Sequence, residues 1–227
     1  MPSASRMAVR TVPPWKSRLT AQLMQTSAVS VPTEMSMPPV IMTRLMPHER
    51  MSSAAFSLRI LKNVCGFLKP DSGVIYVNHK QVGKETDFPE DIGIIIETPG
   101  FLPHLSGTQN LKILASLQKK ANALTIRAVL EQVGLDPDMK KPVGKYSLGM
   151  RQRLGFAQAL MEDPSLLILD EPFNGLDKHG VVHIRNVIKG LREEGKTVIL
   201  ASHNQVDIDE LCDTVCEMDA GVLTVVR

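Results

Sequence analysis

From about residue 58 to its end, the amino-acid sequence predicts an α/β domain built on a largely parallel sheet. Short apolar runs rich in β-branched residues alternate there with longer amphipathic stretches of helical period, the pattern of strands joined by crossover helices. The chain has 227 residues, which is enough to bury a sizeable core. The expected strands are 74–78, 92–96, 166–169, 197–201 and 222–226, and the expected helices are 58–68, 108–119, 124–133, 148–162, 178–194 and 205–212.

Residues 1–57 differ in composition and show no apolar period of 2 or 3.6. The chain has 15 glycines, but none precedes Gly66, and eight of its twelve methionines lie before residue 58. We therefore expect 1–57 to be disordered or poorly packed. Its basic, acid-poor balance is compatible with an organellar transit peptide. We favour a non-native segment, such as translation in a shifted frame or from a wrong start, because core structure is expected at these positions.

Charge and cysteine usage constrain the setting of the protein. Lys and Arg total 26 and Asp and Glu 24, so the net charge of +2 provides no electrostatic case for a nucleic-acid partner. Cys65, Cys212 and Cys216 form no obvious disulfide framework or metal set, and we expect buried structural thiols in a reducing compartment. No uncharged apolar run reaches about 18 residues, so any membrane link is expected to run through a partner.

A strand rich in Leu and Ile ends in two adjacent carboxylates. Residues 166–169 read Leu-Leu-Ile-Leu and are followed by Asp170, Glu171 and Pro172. The unbroken apolar run fits a strand buried on both faces, and ligands bind at the carboxyl ends of strands in open α/β sheets. A buried strand ending in a polar turn is the alternative. The segment resembles a Walker B motif, in which the Asp holds Mg²⁺ and the Glu polarises the attacking water.

Two neighbouring segments narrow the interpretation. Residues 174–177 read Asn-Gly-Leu-Asp and resemble the D-loop of ABC ATPases, and residues 146–153 read Tyr-Ser-Leu-Gly-Met-Arg-Gln-Arg and resemble their signature motif. Ser147 can cap the following helix, and Gly149 lets backbone N–H groups approach an anion closely. An ordinary capped helix would explain Ser-Leu-Gly alone, but not its occurrence upstream of the other two motifs.

Two more strand ends match the same family. His203 follows the apolar run 199–202 and resembles the H-loop histidine, which contacts the γ-phosphate and the attacking water. Glu97 follows the run 93–96 in the place of the Q-loop, where the family usually has Gln. A carboxylate can still reach Mg²⁺ or its water, and the Glu-Thr-Pro form resembles a branch of bacterial subunits that export peptide antibiotics.

The motifs together resemble the ATP-binding subunit of a bacterial ABC transporter. The resemblance implies a P-loop NTPase-like parallel sheet over 58–227, with a helical subdomain at about 101–160 and an incomplete N-terminal part. It implies ATP and Mg²⁺, a second ATPase subunit, a transmembrane permease subunit, and a cytoplasmic position peripheral to the cell membrane. It assigns catalysis to Glu171 and His203, the metal to Asp170, and nucleotide contacts to Ser147, Gly149, Gln152, Glu97 and Asp177.

One motif of the family is missing from the sequence. The Walker A loop, Gly-x-x-x-x-Gly-Lys-Ser/Thr, wraps the phosphates with backbone N–H groups and a lysine. Counting back from the helix 58–68 puts this loop at 48–58, which contains neither glycine nor lysine. ATP binding by the chain as written is therefore expected to be weak or absent, and whether the chain is an active ATPase is left open.

Two other functions are compatible with the sequence. The chain could be a non-catalytic subunit that dimerises with or regulates a complete ATPase, although the retained Glu171 and His203 count against it. It could also be a P-loop NTPase outside transport, such as a DNA-repair or translation ATPase. The absence of long coiled-coil insertions and of a tandem second ATPase domain disfavours that class.

Overall fold

The computed structural model describes residues 5–9, 53–97, 99–118, 121–219 and 222–227. These residues form two compact units. The first contains the described residues up to Glu90 together with 201–208 and 212–227, and the second contains 91–200 and 209–211. In chain order the elements are β1 (Ser5–Val9), α1 (Ser53–Val64), β2 (Tyr76–Val77), β3 (Lys80–Gln81), β4 (Ile92–Ile95), α2 (Gly107–Gln118), α3 (Ala123–Gln132), α4 (Leu148–Leu160), β5 (Leu166–Asp170), α5 (Lys178–Glu193), β6 (Thr197–Ser202), α6 (Gln205–Leu211), β7 (Thr214–Asp219) and β8 (Val222–Val225).

The second unit is built on parallel strands. Its strand order is β4-β5-β6, and β4 pairs in parallel with β5 from Ile92 opposite Leu166 to Ile95 opposite Leu169. The first four residues of β5 are all at most 2% exposed, as expected for a strand covered on both faces. Helix α4 packs against β4 so closely that a Cβ on Gly93 would lie 2.2 Å from the carbonyl oxygen of Ala159.

The first unit carries antiparallel pairings. Strand β7 pairs with β1 on one side and with β8 on the other, and β2 and β3 form a small hairpin. The two residues of the hairpin turn, Asn78 and His79, have φ of 49° and 66°. Positive φ at both central residues is the requirement of a tight two-residue hairpin, and these residue types tolerate it.

The expected α/β class with parallel strands is confirmed, and every expected strand and helix has a counterpart within a few residues. Three strands were not expected, because β1, β3 and β7 are short or carry many polar residues. Their partners lie elsewhere in the chain, as for Ser5 opposite Met218, so local periodicity alone could not identify them. Within 58–227, residues 98, 119–120 and 220–221 lie outside the described part.

The segment 1–57, expected to be disordered or poorly packed, contains regular structure at both of its described ends. Residues 5–9 form β1, and α1 begins at Ser53, five residues before the expected start at 58. The sequence Ser-Ala-Ala at 53–55 favours an earlier helix start, since Ala has the highest helix propensity. The remainder, 10–52, lies outside the described residues. Among the described helices, none is both long and apolar enough to cross a membrane.

Of the three cysteines, Cys65 and Cys216 are buried free thiols. Burial raises the pKa of Cys65 to about 12 and that of Cys216 to about 11, whereas Cys212 is only half-buried. The expectation of buried structural thiols is thus confirmed for two of them. Within the described ranges, no three His, Cys, Asp or Glu side chains gather in a way that could hold a metal ion.

We predict that Cys65 and Cys216 resist alkylation in the folded protein. At pH 8 a thiol with a pKa of 11 or more is almost fully protonated, and the thiolate is the reactive form. Peptide mass mapping after iodoacetamide treatment should show slow modification of both residues without denaturant and complete modification in urea. Modification of Cys65 as fast in native protein as in urea would contradict its burial.

We also predict that Gly93→Ala destabilises the protein by about 1–3 kcal/mol, the usual cost of overpacking. The added methyl group would meet a helix backbone, which can move away only by disturbing the β4–α4 contact. Urea unfolding measures the change. Gly100→Ala is the matched control, because a Cβ there meets nothing within 4 Å.

Candidate active site

The carboxyl ends of β4 and β5 bring three acidic residues to one edge of the sheet. The parallel ladder runs to Ile95 opposite Leu169, so the next residues of both chains leave the ladder at the same edge. Glu97 lies two residues beyond Ile95, and Asp170 and Glu171 follow Leu169 directly. Neighbouring strands are about 4.8 Å apart, so these carboxylates come from adjacent backbones.

Both glutamates at this edge have a backbone conformation that is unusual for their residue type. Glu97 has φ of 60° and Glu171 has φ of 45°. The other described non-glycine residues with positive φ are Asn, His and Asp, which visit this region more readily. For a glutamate the conformation is strained and persists only where its surroundings enforce it, and such positions cluster at functional sites.

The turn after Glu171 is held by α4, the helix that begins within the signature segment. The Nε2 of Gln152 donates a hydrogen bond to the carbonyl oxygen of Pro172 over 2.9 Å, and Gln152 is only 8% exposed. The amide N–H of Asn174 donates to the carbonyl oxygen of Glu171 over 3.2 Å. Gln152, expected as a nucleotide contact, is therefore buried against the Walker B turn, where it positions the backbone beside Glu171.

Side chains from α5 and α6 also support the turn after Glu171, through Phe173. The guanidinium carbon of Arg185 lies 5.9 Å from the ring centroid of Phe173, a geometry for a cation–π contact. Arg185 also pairs with Glu210 over 2.8 Å, and Lys189 pairs with the other oxygen of Glu210 over 3.0 Å. The hydrogen bond from Lys189, together with the charges of both cations, holds the pKa of Glu210 below its usual range.

The signature segment and the D-loop interlock through their small residues. Ser147 caps α4, as expected, since its Oγ accepts from the N–H of Met150 over 3.2 Å. A Cβ on Gly149 would lie 2.9 Å from the carbonyl oxygen of Gly175, so a larger residue would force the two loops apart. Gly175 has φ of 78° and lies under the side chain of Leu148. The N-terminus of α4 thus packs directly against the D-loop.

Two other predicted site residues, Asp177 and His203, belong to other elements than the acidic residues at the ends of β4 and β5. Asp177 is the N-cap of α5, where its Oδ1 accepts from the N–H of Gly180 over 2.7 Å. Its carboxylate therefore has a structural role in the described chain. His203 is exposed and follows β6 as expected, but it belongs to the first unit, whereas the three carboxylates belong to the second.

The sheet edge that bears Glu97, Asp170 and Glu171, called the acidic edge below, can bind Mg²⁺ only together with phosphate and water ligands. Mg²⁺ in nucleotide sites is bound by one or two carboxylates, water and substrate phosphates, and does not need an all-protein cage. Asp170 at the end of β5, with Glu97 and Glu171 at the same edge, provides oxygen ligands of this kind. No three described His, Cys, Asp or Glu side chains gather closely enough to hold a metal ion by themselves, so these residues fit only Mg²⁺ delivered with a nucleotide.

The expected location of the phosphate-binding loop is only partly described. Residues 48–52 lie outside the described part, and from Ser53 the chain is already helical. Ser57, one of the hydroxyls near the expected loop, is 1% exposed. The described residues of α1 contain neither a glycine nor a lysine in the first turn.

The geometry agrees with comparisons to known proteins. A family model described as ABC transporter matches residues 59–174. The ABC transporter ATP-binding protein YybJ of Bacillus subtilis (strain 168) is 37% identical over 172 residues, which are 76% of this chain and 79% of YybJ. The chain belongs to the ABC transporter ATP-binding family. The matched residues begin in α1, after the place where the family's phosphate loop is expected.

Other members extend this result. The bacitracin transport ATP-binding protein BcrA of Enterococcus faecalis is 45% identical over 133 residues, which cover 58% of this chain and 43% of BcrA. The chain spans about half the length of several further curated relatives. The dimeric structure of MJ0796, a bacterial ABC transporter cassette, superimposes with a TM-score of 0.66 at 19% identity, covering 78% of this chain and 83% of that chain.

Several supporting residues of the site were not identified from the sequence. Arg185 contacts Phe173, directly before the D-loop, and pairs with Glu210, and both residues lie on helices with no motif of their own. Tyr146 belongs to the signature segment, but the motif gives it no role. Each acts through a contact with a residue far away in the sequence, such as Gly107 for Tyr146 over 39 positions. The one signal in the sequence is the position of an aromatic residue, Tyr146, directly before the Ser147 cap.

We predict that Glu171→Gly is more stable than Glu171→Ala by about 1 kcal/mol. Both changes remove the carboxylate, but only glycine adopts positive φ without steric cost. Urea unfolding of the two variants measures the difference. The matched pair at exposed Glu131 in α3 should show the opposite order by about 1 kcal/mol, because glycine is unfavourable in a helix.

Proposed function

We propose that this protein is an ATP-binding subunit of an ABC transporter that works as a pair with a second ATPase subunit on a transmembrane permease. The observation that supports this most is the parallel β4–β5 ladder, which delivers Glu97, Asp170 and Glu171 to one sheet edge. The family membership and the capped N-terminus of α4 add to it. The protein would therefore be cytoplasmic and peripheral to the membrane.

The acidic edge would serve the chain's own nucleotide. In this assignment Asp170 holds Mg²⁺, which neutralises phosphate charge when bound, and Glu171 orients the attacking water. Glu97 contacts Mg²⁺ or its water in place of the usual Gln, and His203 contacts the γ-phosphate. The positive φ of both glutamates supports their role, because a strained backbone is retained where function requires it.

The signature segment would serve the nucleotide held by the second subunit. Ser147 and the N-terminus of α4 present backbone N–H groups and a positive dipole end, the usual features of a phosphate site. Gly149 keeps the helix start on the D-loop, and Asp177 holds the D-loop end by capping α5. Since Ser147 is exposed, it is accessible to a ligand carried by another chain.

The chain's own ATP site would be impaired, because the sequence provides no glycine and no lysine where phosphates should be wrapped. This favours a second candidate function, a non-catalytic subunit that completes the partner's site. In that case Ser147 and Gly149 would be needed for activity, and Glu171 would not.

The permease would contact the helical subdomain at about 101–160. Large apolar side chains are exposed there, including Leu102 (45%), Leu117 (75%) and Leu124 (78%). A surface of this kind suits a helix of a membrane partner. One relative is named for bacitracin transport, so bacitracin is a candidate cargo for the transporter to which this chain would belong.

The decisive experiment measures ATP hydrolysis by this chain mixed with its cognate ATPase subunit carrying an intact Walker A loop. We expect activity that requires both chains and is abolished by Ser147→Arg, since the larger cation obstructs the phosphate site. Titration of this chain alone with Mg-ATP should show no saturable binding in the low-micromolar range. Tight binding by the chain alone would refute the impaired site.

Glu171→Gln separates the two candidate functions. If this chain hydrolyses ATP, the substitution should lower turnover of the mixture by about 10²-fold or more, the range seen on loss of a proton-transfer group. Unchanged turnover, with Ser147→Arg still inactive, would favour the non-catalytic subunit. Lys84→Gln, an exposed change in the first unit, provides the control for handling of variants.

A further inference from the structure

Tyr146 lies where the signature segment meets the N-terminus of α2. It directly precedes Ser147, the cap of α4, and its side chain is 6% exposed. Its phenol oxygen accepts a hydrogen bond from the backbone N–H of Gly107 over 3.2 Å, in a buried setting. Buried tyrosine hydroxyls normally have a partner of this kind, and here the partner belongs to a different helix.

The backbone N–H of Gly107, at the N-terminus of α2, is available to the tyrosine. Ser106 and Gln109 form a capping box, in which the N–H of Gln109 donates to the Ser106 Oγ over 3.3 Å and the N–H of Ser106 donates to the Gln109 Oε1 over 2.9 Å. Gly107 is the first residue of the helix, so its N–H has no acceptor within it. A Cβ at Gly107 would lie 3.1 Å from the Tyr146 hydroxyl oxygen.

The backbone around Tyr146 is tied on both sides. Before it, the N–H groups of Val143 and Gly144 donate to the carbonyl oxygens of Leu105 and Pro103, each over 2.8 Å. After it, the Nη1 of Arg151, one turn into α4, donates to the carbonyl oxygen of Tyr146 over 3.1 Å. The Tyr146 hydroxyl is thus the side-chain link in a continuous set of bonds between 103–107 and the start of α4.

We propose that Tyr146 is a positioning residue for the composite nucleotide site, acting through Ser147. Its bond to Gly107 sets the place of the α4 N-terminus relative to α2, so that phosphate carried by the second ATPase subunit meets preformed donors. The inference rests on the proposed function. It also means that α2, which bears exposed Ile113 and Leu117, is mechanically connected to the phosphate-binding end of α4.

The test is Tyr146→Phe, which keeps the ring and removes only the hydroxyl. Tyr76→Phe on β2 in the first unit is the matched control, because it makes the same chemical change away from the site. Amide hydrogen exchange on the full chain reads the bond directly, and exchange at Gly107 should accelerate at least about tenfold in Tyr146→Phe and stay unchanged in Tyr76→Phe.

The functional effect is measured as association with a variant of the cognate subunit that binds ATP but does not hydrolyse it. Tyr146→Phe should weaken ATP-dependent association of the two chains by up to about tenfold in sedimentation, because the free energy of the lost intrachain hydrogen bond limits the effect on the start of α4. With the active subunit, kcat should fall by a similar factor while KM for ATP stays within about twofold, because that subunit holds the nucleotide. A similar Tm for the variant and the parent confirms that folded chains are compared.

Each outcome decides one of the two claims. If Gly107 exchange is unchanged, or if it accelerates while association and kcat stay at parent values and Ser147→Arg abolishes both, the role of Tyr146 is overturned and the proposed function stands. If Ser147→Arg also leaves association and turnover unchanged, the proposed function fails and the inference fails with it. Accelerated exchange with weaker association, absent in Tyr76→Phe, supports the positioning role.

Discussion

The parallel pairing of β4 with β5 is the constraint on which the second unit depends. Strand β5 is buried on both faces, so all of its backbone polar groups must be satisfied by neighbouring strands. That requirement sets the register, and the register determines which residues leave the sheet at the carboxyl edge. The strained glutamates Glu97 and Glu171 each lie two residues beyond the last paired residue of their strand.

The chain after Glu171 shows how a short turn is held by distant elements. Gln152 from α4 binds the Pro172 carbonyl, Arg185 from α5 covers Phe173, and Leu148 lies over Gly175. Each contact is modest alone, yet together they restrict a segment that has little regular structure. Helix α4 and the turn after Glu171 therefore pack as one unit. A substitution in either should alter the conformation of the other.

An ATP site of the ABC transporter family needs acidic residues, a signature segment and a phosphate-binding loop, and this chain has only the first two in recognisable form. The acidic edge and the capped start of α4 are both built, whereas the glycine-rich loop that would bind phosphate within the same chain has no counterpart in the sequence. Because a paired ATPase site uses the signature segment of one chain with the loop of another, these two capacities are separable. That separation is the basis of the proposed function.

The sequence by itself determined the fold class, the order of the motifs and the ends of the main strands, because apolar period and helix caps are local properties. The cap at Ser147 and the carboxylates at the end of β5 follow from residues adjacent in the sequence. Only the tertiary structure decided that Gln152 is buried against Pro172, that Asp177 caps α5, that residues 5–9 pair with β7, and that Tyr146 bonds to Gly107. These contacts join positions far apart in the chain, and no local pattern specifies which distant backbone group will complete a buried hydrogen bond.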